Sequence, residues 1–170
     1  MAETYFVTGR KEINFEGVVS VTDLHVTMDH WFREKGFDKF EVKVEEVVTK
    51  DGKYIEWLFE PWKKVTDYIK LIVRIHVRMY NIVEMMVEID GHPVKMNKGK
   101  INIMTEGFMV TDYEDRFDHQ PLYYFIRTLY DKFFFRSYTQ KYQAQLNADT
   151  EELRAHIKST LNLYRFKIER

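Results

Sequence analysis

The sequence predicts an α+β protein: a curved antiparallel sheet of six or seven strands, one N-terminal helix, and a long C-terminal helix packed across the sheet. Three observations carry this. From Phe40 to about Asp112, apolar and polar positions alternate with the period of half-buried strands. Val21–Lys35 and the last third, from Pro121 onward, repeat apolar residues at helical spacing instead. Lys50-Asp51-Gly52-Lys53 and Asp90-Gly91 are the short turn signals that join antiparallel neighbours.

Residues 4–15 form the first strand, with Tyr5, Val7, Ile13 and Phe15 on one parity; Gly9 leaves a gap in that face and Lys11 interrupts it. Gly17 stops the strand. Ser20 with Asp23 has the spacing of a capping box, and Val21, Leu24, Met28, Trp31 and Phe32 share a helical face that ends at Gly36. Phe40, Val42 and Val44 start the second strand, and the parity shift to Val47 places a bulge near Glu45–Glu46. Ile55, Trp57 and Phe59 form the third, ended by Pro61.

Ile69, Leu71, Val73, Ile75, Val77 and Met79 give the cleanest alternation, followed by Val83, Met85, Val87 and Ile89. A loop at Tyr80-Asn81-Ile82 pairs these as a hairpin, with Arg78 opposite Glu84 and Arg74 opposite Glu88. A shorter loop would set Val77 against Glu84, and face consistency selects the first register. Across Asp90-Gly91, Val87 meets Val94 and Met85 meets Met96. Asn97-Lys98-Gly99-Lys100 is either a turn or a bulge in one long strand, and a kink falls at Gly107. Pro121 opens a helix whose apolar face holds Leu122, Phe125, Ile126, Leu129, Tyr130, Phe133, Phe134 and Tyr138. Asp149 with Glu152 either restarts a second helix over 149–165 or lies within a single kinked one. Leu122–Leu146 is the stretch expected to cross the sheet. One domain over 1–170 is the simplest reading.

Composition excludes several classes. The 170 residues carry 26 Lys and Arg against 27 Asp and Glu, a net charge of −1, so no basic excess points to nucleic acid. With no Cys there is no disulfide framework, thiolate site or thiol nucleophile. No apolar run approaches the roughly 18 residues that span a bilayer, and no basic-then-apolar leader opens the chain. A soluble cytoplasmic protein is the reading. The 13 Phe, 11 Tyr and 3 Trp supply ample core material.

No catalytic constellation emerges. The 6 His lack metal-ligand spacing, and His25 and His30 do not share a helical face. His76, among Lys70, Arg74 and Arg78, reads as an anion or headgroup site, or as a solvated face neutralised by Glu84 and Glu88. Asp112, Glu114, Asp115 and Asp118, with Arg116 and His119, could do acid–base work or serve a helix start. Phe133-Phe134-Phe135 suits core packing or an interface. Lys11 reaches either into a cavity or along its rim.

The order of strand, helix, a run of antiparallel strands and a C-terminal helix, from about Thr4 to Leu146, resembles the helix-grip fold of the START-like superfamily, which includes Bet v 1-type and polyketide cyclase-type proteins. The resemblance lies in topology, and no catalytic residue carries over. It implies a curved sheet gripping a helix around an apolar cavity. The first expectation is therefore a non-catalytic binding protein for a hydrophobic small molecule or lipid, needing no cofactor. Its cavity would be lined by Trp57, Phe59, Leu71, Val73, Ile75, Met85, Phe125 and Leu129. The second is a protein-interaction module with a filled core, homodimeric through the C-terminal helices. An enzyme comes third.

Overall fold

Ile69–Met79 becomes the middle of a six-stranded antiparallel sheet in the computed structural model, which describes residues 3–89, 91–111 and 136–168. The elements are β1 (Glu3–Val19), α1 (Val21–Glu34), β2 (Glu41–Thr49), β3 (Gly52–Phe59), β4 (Trp62–Lys64), β5 (Ile69–Ile89), β6 (His92–Thr111) and α2 (Arg136–Ile168). The sheet order is β1-β6-β5-β3-β2, and β4 pairs with β5 beyond the end of β3. The sheet is curved, and both helices lie on its inner face. The architecture is the α+β arrangement that the alternation and helical spacing predict.

The local signals act as expected at several points. Ser20 caps α1 by accepting a 3.1 Å hydrogen bond from the Asp23 amide. Leu24, Met28, Trp31 and Phe32 are buried, and Gly36 ends the turn at φ 68°. Thr49 pairs with Gly52 across the first hairpin. The second hairpin sets Val87 opposite Val94 and Met85 opposite Met96. Of the two readings for 97–100, the continuous strand is the one found, because β6 runs unbroken from His92 to Thr111.

The hairpin expected at Tyr80-Asn81-Ile82 does not form. The chain continues straight on as β5, Arg78 pairs with Asn102, and Glu84 pairs with Asn97. A bulge turns the odd-numbered residues of the second run to the other face. Between Tyr80 and Val83 the strand advances three residues while β6 advances only from Lys100 to Lys98. Asn81 absorbs the extra residue at φ 53°, a left-handed conformation that Asn tolerates. Two glycines make room for it. A Cβ on Gly99 would meet Ile82 Cδ1 at 2.6 Å and the Tyr80 carbonyl oxygen at 2.7 Å. A Cβ on Gly52 would meet the Asn81 backbone at 2.9 Å. Gly99→Ala should therefore destabilise by about 1–3 kcal/mol through overpacking. Gly9→Ala, with nothing within 4 Å of the added carbon, should be near neutral. Urea denaturation of the two variants checks the contrast.

Other boundaries also move. The bulge of β2 lies between Glu41 and Lys43, and the pairing from Lys43 to Thr49 is regular through Glu45–Glu46. The irregularity near Gly107 belongs mainly to β1, whose register slips between Phe6 and Thr8 and again between Thr8 and Lys11. Gly107 is needed there because a Cβ would strike Thr8 Oγ1 at 2.8 Å.

The C-terminal helix is continuous through Asp149, so no second helix starts at that point. Its buried residues are Leu146, Thr150, Leu153, Ile157 and Leu161, spaced three or four apart, with Asp149 and Arg154 beside them. This stripe packs on the inner face with Ile13, Leu71, Val73, Ile75, Ile103 and α1. The buried stripe of the described helix runs from Leu146 onward, past the end of the expected crossing segment Leu122–Leu146. The first part of that segment, Leu122 to Phe135, lies outside the described residues. No helix among the described residues is long and apolar enough to cross a membrane.

Candidate functional site

The side chains expected to line a cavity divide into three groups. Trp57, Phe59, Leu71, Val73 and Ile75 come together on the inner face, where Trp57 is 8% exposed and the others at most 1%. They pack into one core with Met28, Phe32, Leu153 and Ile157. His25 of α1 closes the edge of this cluster, with its ring at 5.3 Å from Trp57 and 6.0 Å from Phe59. Met85 does not join them. The bulge at Asn81 turns it to the outer face, half-buried opposite Met96. Phe125 and Leu129 lie outside the described residues, as do Phe133–Phe135 and the acidic group from Asp112 to His119.

The polar outer face of β5 finds partners other than those expected. Glu60 accepts from Arg74 Nε at 2.7 Å, and Glu106 lies 3.6 Å from its Nη1. His76 Nε2 and Glu56 Oε1 are 2.6 Å apart, and Lys43 of β2 donates to the other Glu56 oxygen. Glu84, which the bulge at Asn81 turns away from that face, instead pairs with Lys53 at 3.3 Å and Lys95 at 2.7 Å. The charges neutralise across three strands, because β3 and β6, and not a returning arm of β5, are its ladder neighbours.

Hydrogen bonds from Lys43 and then His76 hold the Glu56 carboxyl down at about 2. Its folded pKa is depressed, so its contribution is fully present above the ordinary carboxylate value of about 4.5 and is lost as pH falls from there toward about 2. Glu56→Gln should flatten the acid branch of the stability curve in that window, and near pH 7 it should lower stability by an amount that does not vary with pH. Urea midpoints at several acidic pH values measure it.

Lys11 enters no cavity. Its amine pairs with Glu151 and ties β1 to α2, beside a 2.6 Å hydrogen bond from Thr8 Oγ1 to Asn147 Oδ1. A second cross-tie centres on Asp149, discussed below.

The feature the sequence did not signal is the free edge formed by β2. All nine of its residues are exposed, although the strand carries Val42, Val44, Val47 and Val48, with Phe40 just before it. Val44 is 58% and Val48 75% exposed. Val44 sits opposite Trp57 and so shares the inner face, beyond the cover of the helices. The opposite edge, β1, is interrupted twice and tied to α2, whereas β2 is regular from Lys43 to Thr49. Alternation alone reads as half-burial and cannot show that no element among the described residues covers the strand.

No family model, no curated protein and no solved structure matches this chain.

Proposed function

We propose that this protein is an interaction module that works as a homodimer, with β2 of one copy added antiparallel to β2 of a second copy. We also read its sheet and helices as a helix-grip arrangement in which the grip is filled by its own side chains. The observation that carries the proposal is the fully exposed, regular, valine-bearing edge strand. The packing of Trp57, Phe59, Leu71, Val73 and Ile75 supports a filled core over a hydrophobic-ligand cavity. The burial of Leu146–Leu161 against the sheet supports the edge strand, rather than the C-terminal helices, as the pairing element.

Charge selects the register. In a sheet continued by a two-fold axis, opposed residues share a face, so only residues of equal parity can meet. Centring the axis on Lys43, Glu45 or Glu46 opposes like charges. Centring it on Val42, Val47 or Val48 runs off the strand end within two residues. Centring it on Val44 opposes Val44 with itself and sets Lys43 against Glu45 twice. Lys on an edge usually discourages pairing, but in this register each Lys meets a carboxylate.

The chain has no cysteine, so a single introduced thiol reports proximity cleanly. Val44→Cys should form a covalent dimer under mild oxidation, because directly opposed strand residues lie within disulfide reach. Val47→Cys, which this register places opposite Glu41, should not. A monomer by light scattering at high concentration, or equal cross-linking of both variants, would overturn the proposal.

A further inference from the structure

We propose that the outer face of the sheet holds a binding site for a small phosphate-bearing molecule between the guanidinium groups of Arg10 and Arg78. Both side chains converge on the Met104 thioether. Arg10 donates to the Met104 sulfur from Nε at 3.1 Å and also from Nη2, and Arg78 Nη2 stands 3.6 Å from the same atom. A thioether is a weak, uncharged acceptor. Two guanidinium groups are thus brought together without the anion that their planar donor forks suit best.

The surrounding charges show why this place differs from the rest of the face. Arg74 is held by Glu60 and Glu106, and His76 and Lys43 share Glu56. Among the described residues Arg10 has only Glu12, 3.5 Å from Nε. Arg78 makes no ion pair within 4.0 Å among the described residues, although Glu56, held by Lys43 and His76, is its ladder neighbour on β3. Arg78 donates to Asn102 Oδ1 at 3.0 Å, and that amide is fixed in turn by donating to Asn14 at 2.6 Å. The Arg78 Nε is buried with no hydrogen-bond partner. Two guanidinium groups therefore meet at one sulfur atom, and the second of them, Arg78, has no ion pair among the described residues.

The space for a ligand adjoins it. An open cleft of about 360 Å³ is lined by Arg10, Leu58, Arg74, His76, Met104 and Glu106, and Arg78 meets it only through its contact with Met104. Arg10 reaches this cleft because the register slip between Thr8 and Lys11 redirects β1. His76 pairs with Met104 in the ladder, which places its ring in the same wall. Leu58 and Met104 give that wall an apolar part, so the phosphate is best carried on a small organic group. Phosphate oxygens would replace the sulfur as the acceptor for both arginines, and the strands would hold the forks in place beforehand. The site is on the opposite face from the core and does not involve the β2 edge, so it stands or falls apart from dimerisation.

Isothermal titration of the full chain with inorganic phosphate and with phenyl phosphate, in chloride buffer, tests this. Saturable binding is expected with at least one of the two. It should weaken at least tenfold in Arg10→Ala and in Arg78→Lys, which keeps the charge but loses the fork. Lys95→Ala, a basic residue on the distant hairpin, should leave it unchanged. Tighter binding of phenyl phosphate assigns the site to an organic phosphate, and equal binding assigns it to the free anion. If Arg78→Lys does not fold, Arg10→Ala alone decides. Absence of binding by both probes, or affinity unaltered in the arginine variants, overturns the proposal.

Discussion

Replacing Asp149 with alanine is expected to destabilise the protein by about 3–5 kcal/mol, the range for stripping one partner from a buried ion pair. Asp149 is only 7% exposed although it stands in the middle of α2. Lys63 of β4 donates to its Oδ2 at 2.9 Å, and Lys35, the C-cap of α1, lies 3.8 Å from Oδ1. The Lys63 side chain is 11% exposed, and its amine sits 4.3 Å from the centre of the Phe37 ring. Removing the carboxylate leaves that ammonium with the Lys35 carbonyl at 3.5 Å and an aromatic face, and little water. One aspartate thus joins both helices to the sheet. Asp149→Asn should lose less, because the amide oxygen still accepts from Lys63. Glu152→Ala should cost under about 1 kcal/mol, since its bond to Lys35 is at a 40% exposed carboxylate that water screens. Urea denaturation of the three variants gives the ranking. A loss below about 1 kcal/mol for Asp149→Ala would mean that Lys63 is solvated without it.

Asp149 also marks the limit of what patterning conveys. Asp and Glu three residues apart can be a capping box, or can occupy one turn of a helix beside buried cations. The choice depends on Lys63, which lies 86 residues away in the chain. The segment 80–82 is ambiguous in the same manner. The apolar residues keep one parity from Ile69 to Ile89, which fits a three-residue hairpin loop and does not reveal a bulge that turns the second run to the other face. The decision rests on Gly99 and Gly52, whose missing Cβ atoms let neighbouring strands close on Asn81. Where structure depends on near neighbours, the sequence was readable. Ser20 and Gly36 bound α1, and Ile55, Trp57 and Phe59 turn inward. The second hairpin sets Met85 against Met96. The candidate sites were less readable because they are made of relations between strands. Arg10 and Met104 are 94 residues apart, and the exposure of β2 depends on which elements fail to reach it. The ion partners of β5 followed the sheet order, which local register could not supply.

Leu153→Ala should cost about 2–5 kcal/mol, the usual range for a fully buried leucine. Leu153 is 0% exposed and lies in the stripe of Leu146, Thr150, Ile157 and Leu161 that faces the sheet. The sheet face below it, with Leu71, Val73 and Ile75 at 0% exposure, is made of stiff β-branched and branched side chains held by ladder hydrogen bonds. Such a surface closes a new void poorly, which favours the upper part of the range. Leu163, one helix face away and 49% exposed, provides the internal control, and Leu163→Ala should change stability by less than about 0.5 kcal/mol. Chemical denaturation of both variants measures the difference directly. Equal, small losses would place Leu153 outside the core and detach the C-terminal helix from the sheet. A large loss at Leu153 alone shows that the helix supplies the apolar cover of the inner face, which is the condition for the filled core on which the interaction-module reading depends.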